Sequence, residues 1–187
     1  TGRDMNLVET NILGVNIIEN TVFQDNRGAF SRLYCAGELK EVVGSRSIVQ
    51  INHSMTHSVG AVRGLHYQNS SHAEMKIVRC LKGRVLDVVV DLRQGSATFL
   101  KWTSIELTPE NHLAFVIPEG CAHGFQVLEK DSELLYLHSE FYSQDDEGGV
   151  RYDEPKININ WPLAPIDLSA RDLSHPYLTN DFKGVIL

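Results

Sequence analysis

Apolar and polar residues alternate along most of this chain in short runs of period two, the spacing of half-buried β-strands. Residues 12–18 form an apolar, β-branched run; residues 30–35 and 48–53 continue the pattern, the latter setting Gln50 and Asn52 on one side. Between the first two runs, Asp25, Asn26 and Gly28 mark a tight turn. Residues 62–68, Val-Arg-Gly-Leu-His-Tyr-Gln, predict a central strand. Residues 75–81, a Lys82-Gly83 turn and the Val-rich residues 84–92 together predict a β-hairpin. Strands are further predicted over 98–107, 112–117, 124–128 and 133–142, with a bend at Pro118-Glu119-Gly120 and an acidic loop at 144–149. Residues 37–43 predict a short helix, and the proline-rich tail from Asp153 predicts irregular turns with one helical turn. Many short strands, tight turns and little helix predict an all-β fold, best met by a jelly roll with room for a small ligand between its sheets.

Length and charge narrow the picture. The chain has 187 residues, enough for one domain with a substantial core, expected over 5–187. Thr1-Gly2-Arg3-Asp4 ahead of Met5 predicts an expression remnant. The formal net charge is −7 and no basic run interrupts it, so a nucleic-acid partner is not expected. An anionic ligand would have to be held by a few placed cations. Cys35, Cys80 and Cys121 are dispersed with no CxxC pair, which fits a reducing compartment. No apolar run reaches membrane-spanning length and no signal-peptide pattern opens the chain.

The candidate chemistry begins at residues 62–68. Strict alternation sends Arg63, Leu65 and Tyr67 to one face and Gly64, His66 and Gln68 to the other, unless Gly64 bulges. This is either a strand lining a pocket or an edge strand with a solvated histidine. Lys76 is either a surface lysine or a buried functional one, Asp87 a structural or a catalytic carboxylate, and Tyr136, beside His138, a core aromatic or an acid. Pro118-x-Gly120-x-x-His123 is half of the pattern by which metal-binding cupins present histidines. The other half is missing: His66-Tyr67-Gln68 has no second imidazole and Glu74 lies in a loop. Two histidines fall short of the usual three ligands, so a metal is not expected. A base-driven reaction remains: His66 as base, Lys76 holding an oxyanion and Tyr136 returning a proton from the opposite side.

Arg63-Gly64-Leu65-His66-Tyr67-Gln68, Lys76-Ile77-Val78-Arg79-Cys80, residues 88–93, residues 117–125 and Leu168-Ser169-Ala170-Arg171-Asp172 resemble the dTDP-4-dehydrorhamnose 3,5-epimerase family. Phe23-x-Asp25-x-Arg27-Gly28 and Asn160-Trp161-Pro162 resemble it too, in the same order, from about Ile12 to Asp172. The resemblance implies a cupin-like, double-stranded β-helix jelly roll without cofactor, forming a homodimer with exchanged strands. It implies His66 as base in a dyad with Asp172, Tyr136 as acid, and Lys76 stabilising an enolate with His123 nearby. It implies that Arg63, and Arg27 from the partner subunit, hold the diphosphate of a nucleoside-diphosphate sugar. Gln50 and Asn52 would contact nucleotide or sugar, Tyr142 would stack on the base, and Glu147 and Arg171 would sit at the rim. Arg32 stands where the family usually has a glutamate, Leu137 where it has a lysine and Ile51 where aspartate is common. An arginine suits cytosine better than thymine, so a CDP-linked sugar is an expectation beside a dTDP-linked one. The implied setting is the cytoplasm, in assembly of surface polysaccharide or glycosides. Rival expectations are a nucleotide-sugar cupin that does not epimerise and a metal-dependent cupin oxygenase.

Overall fold

The computed structural model describes residues 4–187; of the expected remnant at residues 1–4, residues 1–3 lie outside the described residues. The strands are β1 (Met5–Glu9), β2 (Asn16–Asn20), β3 (Val22–Asp25), β4 (Gly28–Ser31), β5 (Gln50–Thr56), β6 (Val62–Gln68), β7 (Lys76–Lys82), β8 (Val85–Asp91), β9 (Trp102–Leu107), β10 (Leu113–Ile117), β11 (Cys121–Val127), β12 (Ser132–His138) and β13 (Glu147–Gly149). Two short α-helices, α1 (Lys40–Val43) and α2 (Ala170–Ser174), and two 3-10 turns, Ser70–His72 and Gln144–Asp146, complete the described elements. A six-stranded sheet runs β1-β2-β10-β7-β12-β5 and a five-stranded sheet β13-β6-β11-β8-β9, while β3 and β4 form a separate hairpin. The architecture is the expected all-β jelly roll.

The core sits between the sheets, where Val78, Cys80, Phe115, Ile117 and Leu134 meet Val85, Val89, Leu107, Cys121, Phe125 and Val127. Both outer faces are covered as well. Leu39 and Val43 pack on Ile77, Ala114, Val116 and Leu137 of the first sheet. Val150, Ile157 and Val185 of the tail pack on Leu65, Val88, Val90 and Ala122 of the second. A strand buried on both faces needs apolar residues at every position, which explains the unbroken Val88-Val89-Val90.

Two expectations need correction. The Lys82-Gly83 turn does not close a hairpin: β7 pairs with β10 and β12, and β8 with β11 and β9. The turn instead carries the chain from one sheet to the other. It is tied to Ser132, whose hydroxyl accepts from Arg84 N at 3.1 Å. A turn signal predicts a reversal, not the pairing of its flanks. The run at 12–18 is likewise not one strand. β1 and β2 are joined by a turn that buries Ile12 and Val15, held by the Thr10 hydroxyl donating to Val15 O at 2.7 Å. Smaller shifts follow the same logic: the strand predicted from Phe30 stops at Ser31, β11 starts at Cys121 so that His123 lies within it, and β12 stops at His138.

The decisive local feature is in β6. Its pairing with β11 sets His66 opposite His123 and Arg63 opposite Phe125, so β6 carries one residue more than its partner over this interval. That bulge breaks strict alternation and lets Arg63 and His66 line the same cavity. Gly64 has φ +124°, and a Cβ there would lie 2.7 Å from Gly124 Cα and 2.8 Å from His123 O. Gly64→Ala should therefore destabilise the protein by about 3 kcal/mol in chemical denaturation, combining backbone strain with overpacking.

Candidate active site

A cavity of about 300 Å³ opens between the two sheets. β6 and β11 bring Arg63, His66 and His123 to one wall; β5, β7 and β12 bring Asn52, Ser54, Lys76, Tyr136 and His138 to the other. His66 Nε2 lies 2.6 Å from Asp172 Oδ1, and the second oxygen of Asp172 accepts from Gly64 N at 3.1 Å. An ionised carboxylate can only accept, so His66 carries its proton on Nε2 and leaves Nδ1 as the basic nitrogen. Asp172 is held at the start of α2, where its backbone N–H donates to the Ser169 hydroxyl at 3.0 Å. Burial pushes the Asp172 carboxyl up, but its hydrogen bond with His66, the His66 charge and the Gly64 N–H outweigh this and hold it below 3.8.

A second pair stands behind the first. His123 Nε2 lies 2.7 Å from Asp87 Oδ1 and both side chains are buried. Burial pulls the His123 pKa down against the pull of Asp87. Tyr136 bonds the Ser54 hydroxyl at 2.9 Å, with its ring edge-on to His123 and stacked with His138. Burial pushes its phenol well up, so it stays protonated at any physiological pH. Lys76 is 6% exposed, not a surface lysine, and burial lowers its pKa from 10.5. The charge of Asp87 acts on it across the sheets rather than along a hairpin.

At the rim, the Tyr142 hydroxyl donates to Glu147 Oε2 at 3.0 Å and Arg171 pairs with Glu147. Gln50 accepts from Tyr142 N at 3.3 Å beside the cavity rather than within its lining. Two expected residues lie elsewhere in this chain. Arg27 is on the exposed β3–β4 hairpin, paired with Asp25. Arg32 is paired with Asp4 and Glu38 at 3.1 Å each, outside the cavity. Departures of its neighbours from the family pattern place Ile51 on the outer side of β5 and Leu137 in the core under α1.

Several lining residues escaped the sequence reading. Ser54 was legible, since it continues the alternation of Gln50 and Asn52. Glu74 lines the cavity although it precedes β7. His175 had no signal: it stands edge-on to His66 with ring centroids 6.4 Å apart, its Nε2 buried without a hydrogen-bond partner. Among the described residues, His66, Asp172 and His175 bring ligating atoms within 4.8 Å of one another. The 2.6 Å contact inside that trio is a hydrogen bond. A tetrahedral ion with bonds of about 2.0–2.1 Å would need its donors about 3.3 Å apart.

The dTDP-4-dehydrorhamnose 3,5-epimerase family model matches residues 9–180. A dTDP-4-dehydrorhamnose 3,5-epimerase of Shigella flexneri is 43% identical over 171 residues, covering 91% of this chain and 94% of that protein. The crystal structure of dTDP-4-dehydrorhamnose 3,5-epimerase from Elizabethkingia anophelis NUHP1 is similar with a TM-score of 0.90 at 40% identity, covering 96% of this chain and 100% of that one. The dTDP-6-deoxy-D-glucose-3,5-epimerase of Legionella pneumophila Philadelphia 1, solved with dTDP-4-keto-L-rhamnose, has a TM-score of 0.90 at 35% identity, covering 98% and 99%.

A carboxyl whose pKa is lowered by folding contributes stability above its unfolded value and loses it as pH falls through the folded one. The stability gap between the parent protein and Asp172→Asn should therefore be present above the unfolded value of about 3.9 and shrink as the pH falls below it, read as the difference in urea midpoint. A gap independent of pH would show that the carboxylate is not ionised against His66.

Proposed function

This chain belongs to the dTDP-4-dehydrorhamnose 3,5-epimerase family, and on that premise we propose that it inverts carbon centres beside the ketone of a dTDP-linked 4-keto-6-deoxy sugar. The observation that carries the proposal is the His66–Asp172 hydrogen bond of 2.6 Å on one wall of a cavity whose other wall holds Tyr136 and Lys76. His66 Nδ1 takes the proton from the carbon next to the ketone. The electrons move onto the ketone oxygen, and the Lys76 ammonium stabilises the enolate. Asp172 fixes the tautomer and balances the imidazolium that forms. Tyr136, protonated because it is buried, returns a proton to the opposite face and takes one back through solvent. General-base action gives about 10²–10⁴-fold and one oxyanion donor about 2.7–4 kcal/mol, so neither His66 nor Lys76 is dispensable.

Binding of the diphosphate falls to Arg63 at the cavity mouth and to Arg27, delivered by a partner subunit in a homodimer with exchanged strands. Support comes from the exposed hairpin, with Phe23 at 52% and Phe30 at 70%, and from the unpaired edge of β5 with Ile51 and Met55 exposed. Tyr142 would stack on the base, with Gln50, Asn52, Glu147, Arg171 and His123 around the ligand. The position of Arg32 outside the cavity, with Nη1 paired to Asp4 and Glu38, supports dTDP over CDP. No described helix is long and apolar enough to cross a membrane. The free Cys35, Cys80 and Cys121 support a reducing, cytoplasmic setting for a step in deoxysugar assembly, such as for O-antigen or capsule. One domain over 5–187 is sufficient for this chemistry.

Incubation with a dTDP-linked 4-keto-6-deoxy sugar in deuterated water should label C3, C5 or both. His66→Ala should lower that exchange about 10²–10⁴-fold and leave nucleotide binding intact. Absence of label with the parent protein rejects the epimerase. If Arg27 acts in the partner's site, mixing His66→Ala with Arg27→Ala chains should restore activity that neither has alone, since one site of the mixed dimer then holds both residues. Failure to complement, with mixed dimers formed, assigns Arg27 no role across the interface.

A further inference from the structure

The cavity contains a third histidine–carboxylate pair that the proposed proton transfers do not use. His138 Nδ1 lies 2.9 Å from Glu74 Oε2, and His138 Nε2 lies 3.2 Å from Asn52 Nδ2. An amide nitrogen donates, so Nε2 must accept and the imidazole proton sits on Nδ1, directed at Glu74. The Glu74 carboxylate accepts that bond through Oε2. Its other oxygen, Oε1, stands 3.9 Å from Lys76 Nζ. That separation is short for a charge interaction and too long for a hydrogen bond. Glu74 can therefore neutralise the ammonium without taking any of its three N–H donors, which stay available for a substrate oxygen.

Lys76 needs such a neighbour. Its side chain is 7% exposed and burial favours the neutral amine. Around it stand Glu74 just ahead of its own strand, Asp87 from β8, His123 from β11, Tyr136 and His138 from β12, and Arg63 and His66 from β6. Of the two carboxylates, Asp87 already has Oδ1 committed to His123 at 2.7 Å. Arg63 adds positive charge to the same cavity.

We propose that Glu74, held by His138 and Asn52, is a positioning residue that keeps Lys76 an ammonium and leaves its donors free for the developing enolate. The proposal rests on the epimerase reading and goes beyond it. It assigns Glu74 a role in the pH range of the reaction rather than in binding or proton transfer.

The test follows Lys76 directly. In protein carrying ¹³Cε-labelled lysine, the Lys76 resonance is assigned by its loss in Lys76→Arg and titrated without substrate. Glu74→Gln, which keeps shape and removes charge, should move the Lys76 midpoint down by about one pH unit or more. The alkaline limb of deuterium incorporation should move down with it, while the rate on the neutral plateau changes much less. If the glutamine variant does not fold, Glu74→Met is expected to give the same shift. A folded variant with an unmoved Lys76 midpoint and an unmoved alkaline limb overturns the proposal, since a merely structural glutamate would lower the rate at all pH values alike. Absence of exchange in the parent protein would instead remove the epimerase reading, and the lysine titration would still decide the coupling.

Discussion

One carboxylate ties the tail of this protein to the strand on which the chemistry rests. Asp172 accepts from Gly64 N–H and faces His66 Nε2, two donors more than a hundred residues earlier in the chain. Charge-assisted bonds of this kind are strong, and the buried Asp172 carboxylate cannot be left without a partner there. The bulge in β6 makes the arrangement possible: it turns Gly64 N–H out of the β-ladder and brings His66 round beside it. The tail then has two independent reasons to stay in place. Val150 exchanges backbone hydrogen bonds with Leu65, and Ile157 and Val185 cover the outer face of the same sheet. Local backbone, long-range closure and the tautomer of a histidine are thus one structural fact.

The rest of the cavity follows from the same need to pair buried charge. Each of its three interior histidines meets a carboxylate: His66 with Asp172, His123 with Asp87, His138 with Glu74. The partners differ in consequence because their surroundings differ. Asp172 is also fed by a backbone donor, which strengthens its ionised form. His123 is so deeply buried that its neutral form wins despite Asp87. Tyr136, wedged between two imidazoles, has only a serine hydroxyl to bond and so keeps its proton. The proposed base, the neutral histidine and the proposed acid are distinguished by burial and partner rather than by residue type.

How much of this was legible in the sequence depends on how local each signal is. The all-β class, most strands and the inward set of His66, Lys76 and Tyr136 follow from period-two alternation broken by glycines. The bulge at Gly64 was legible only as an alternative, because glycine permits it without requiring it. Pairing across the Lys82-Gly83 turn was misread because sheet membership is decided by partners far away, here β10, β11 and β12. Asp172 as the partner of His66 came from resemblance alone: no spacing rule connects residues 106 apart. Glu74 was set aside as a loop residue, yet a position just ahead of a strand can aim its side chain along the strand's inner face. His175 and the covering of both outer sheet faces depend on where an irregular tail lies, and irregular chain has no period to read.

Charge arithmetic within the cavity then limits what a single chain can do. The protein carries −7 overall, and the cavity is lined by Glu74 and Glu147, with Asp87 behind His123 and Asp172 behind His66. Of the nearby cations, Lys76 is matched by Glu74 and Asp87, and Arg171 by Glu147. Among the described residues Arg63 is the arginine of the cavity lining, and it has no carboxylate partner. One arginine at a mouth lined by acidic groups is a weak trap for a diphosphate, since the general field of the molecule repels it. In the proposed function a second cation comes from outside this cavity. The exposed hairpin carries Arg27 among Phe23 and Phe30, a cation set in apolar surface that its own chain does not cover. In the proposed homodimer, burying those aromatic rings against another subunit and completing the anion site would be a single event, and assembly and substrate binding would draw on the same contact.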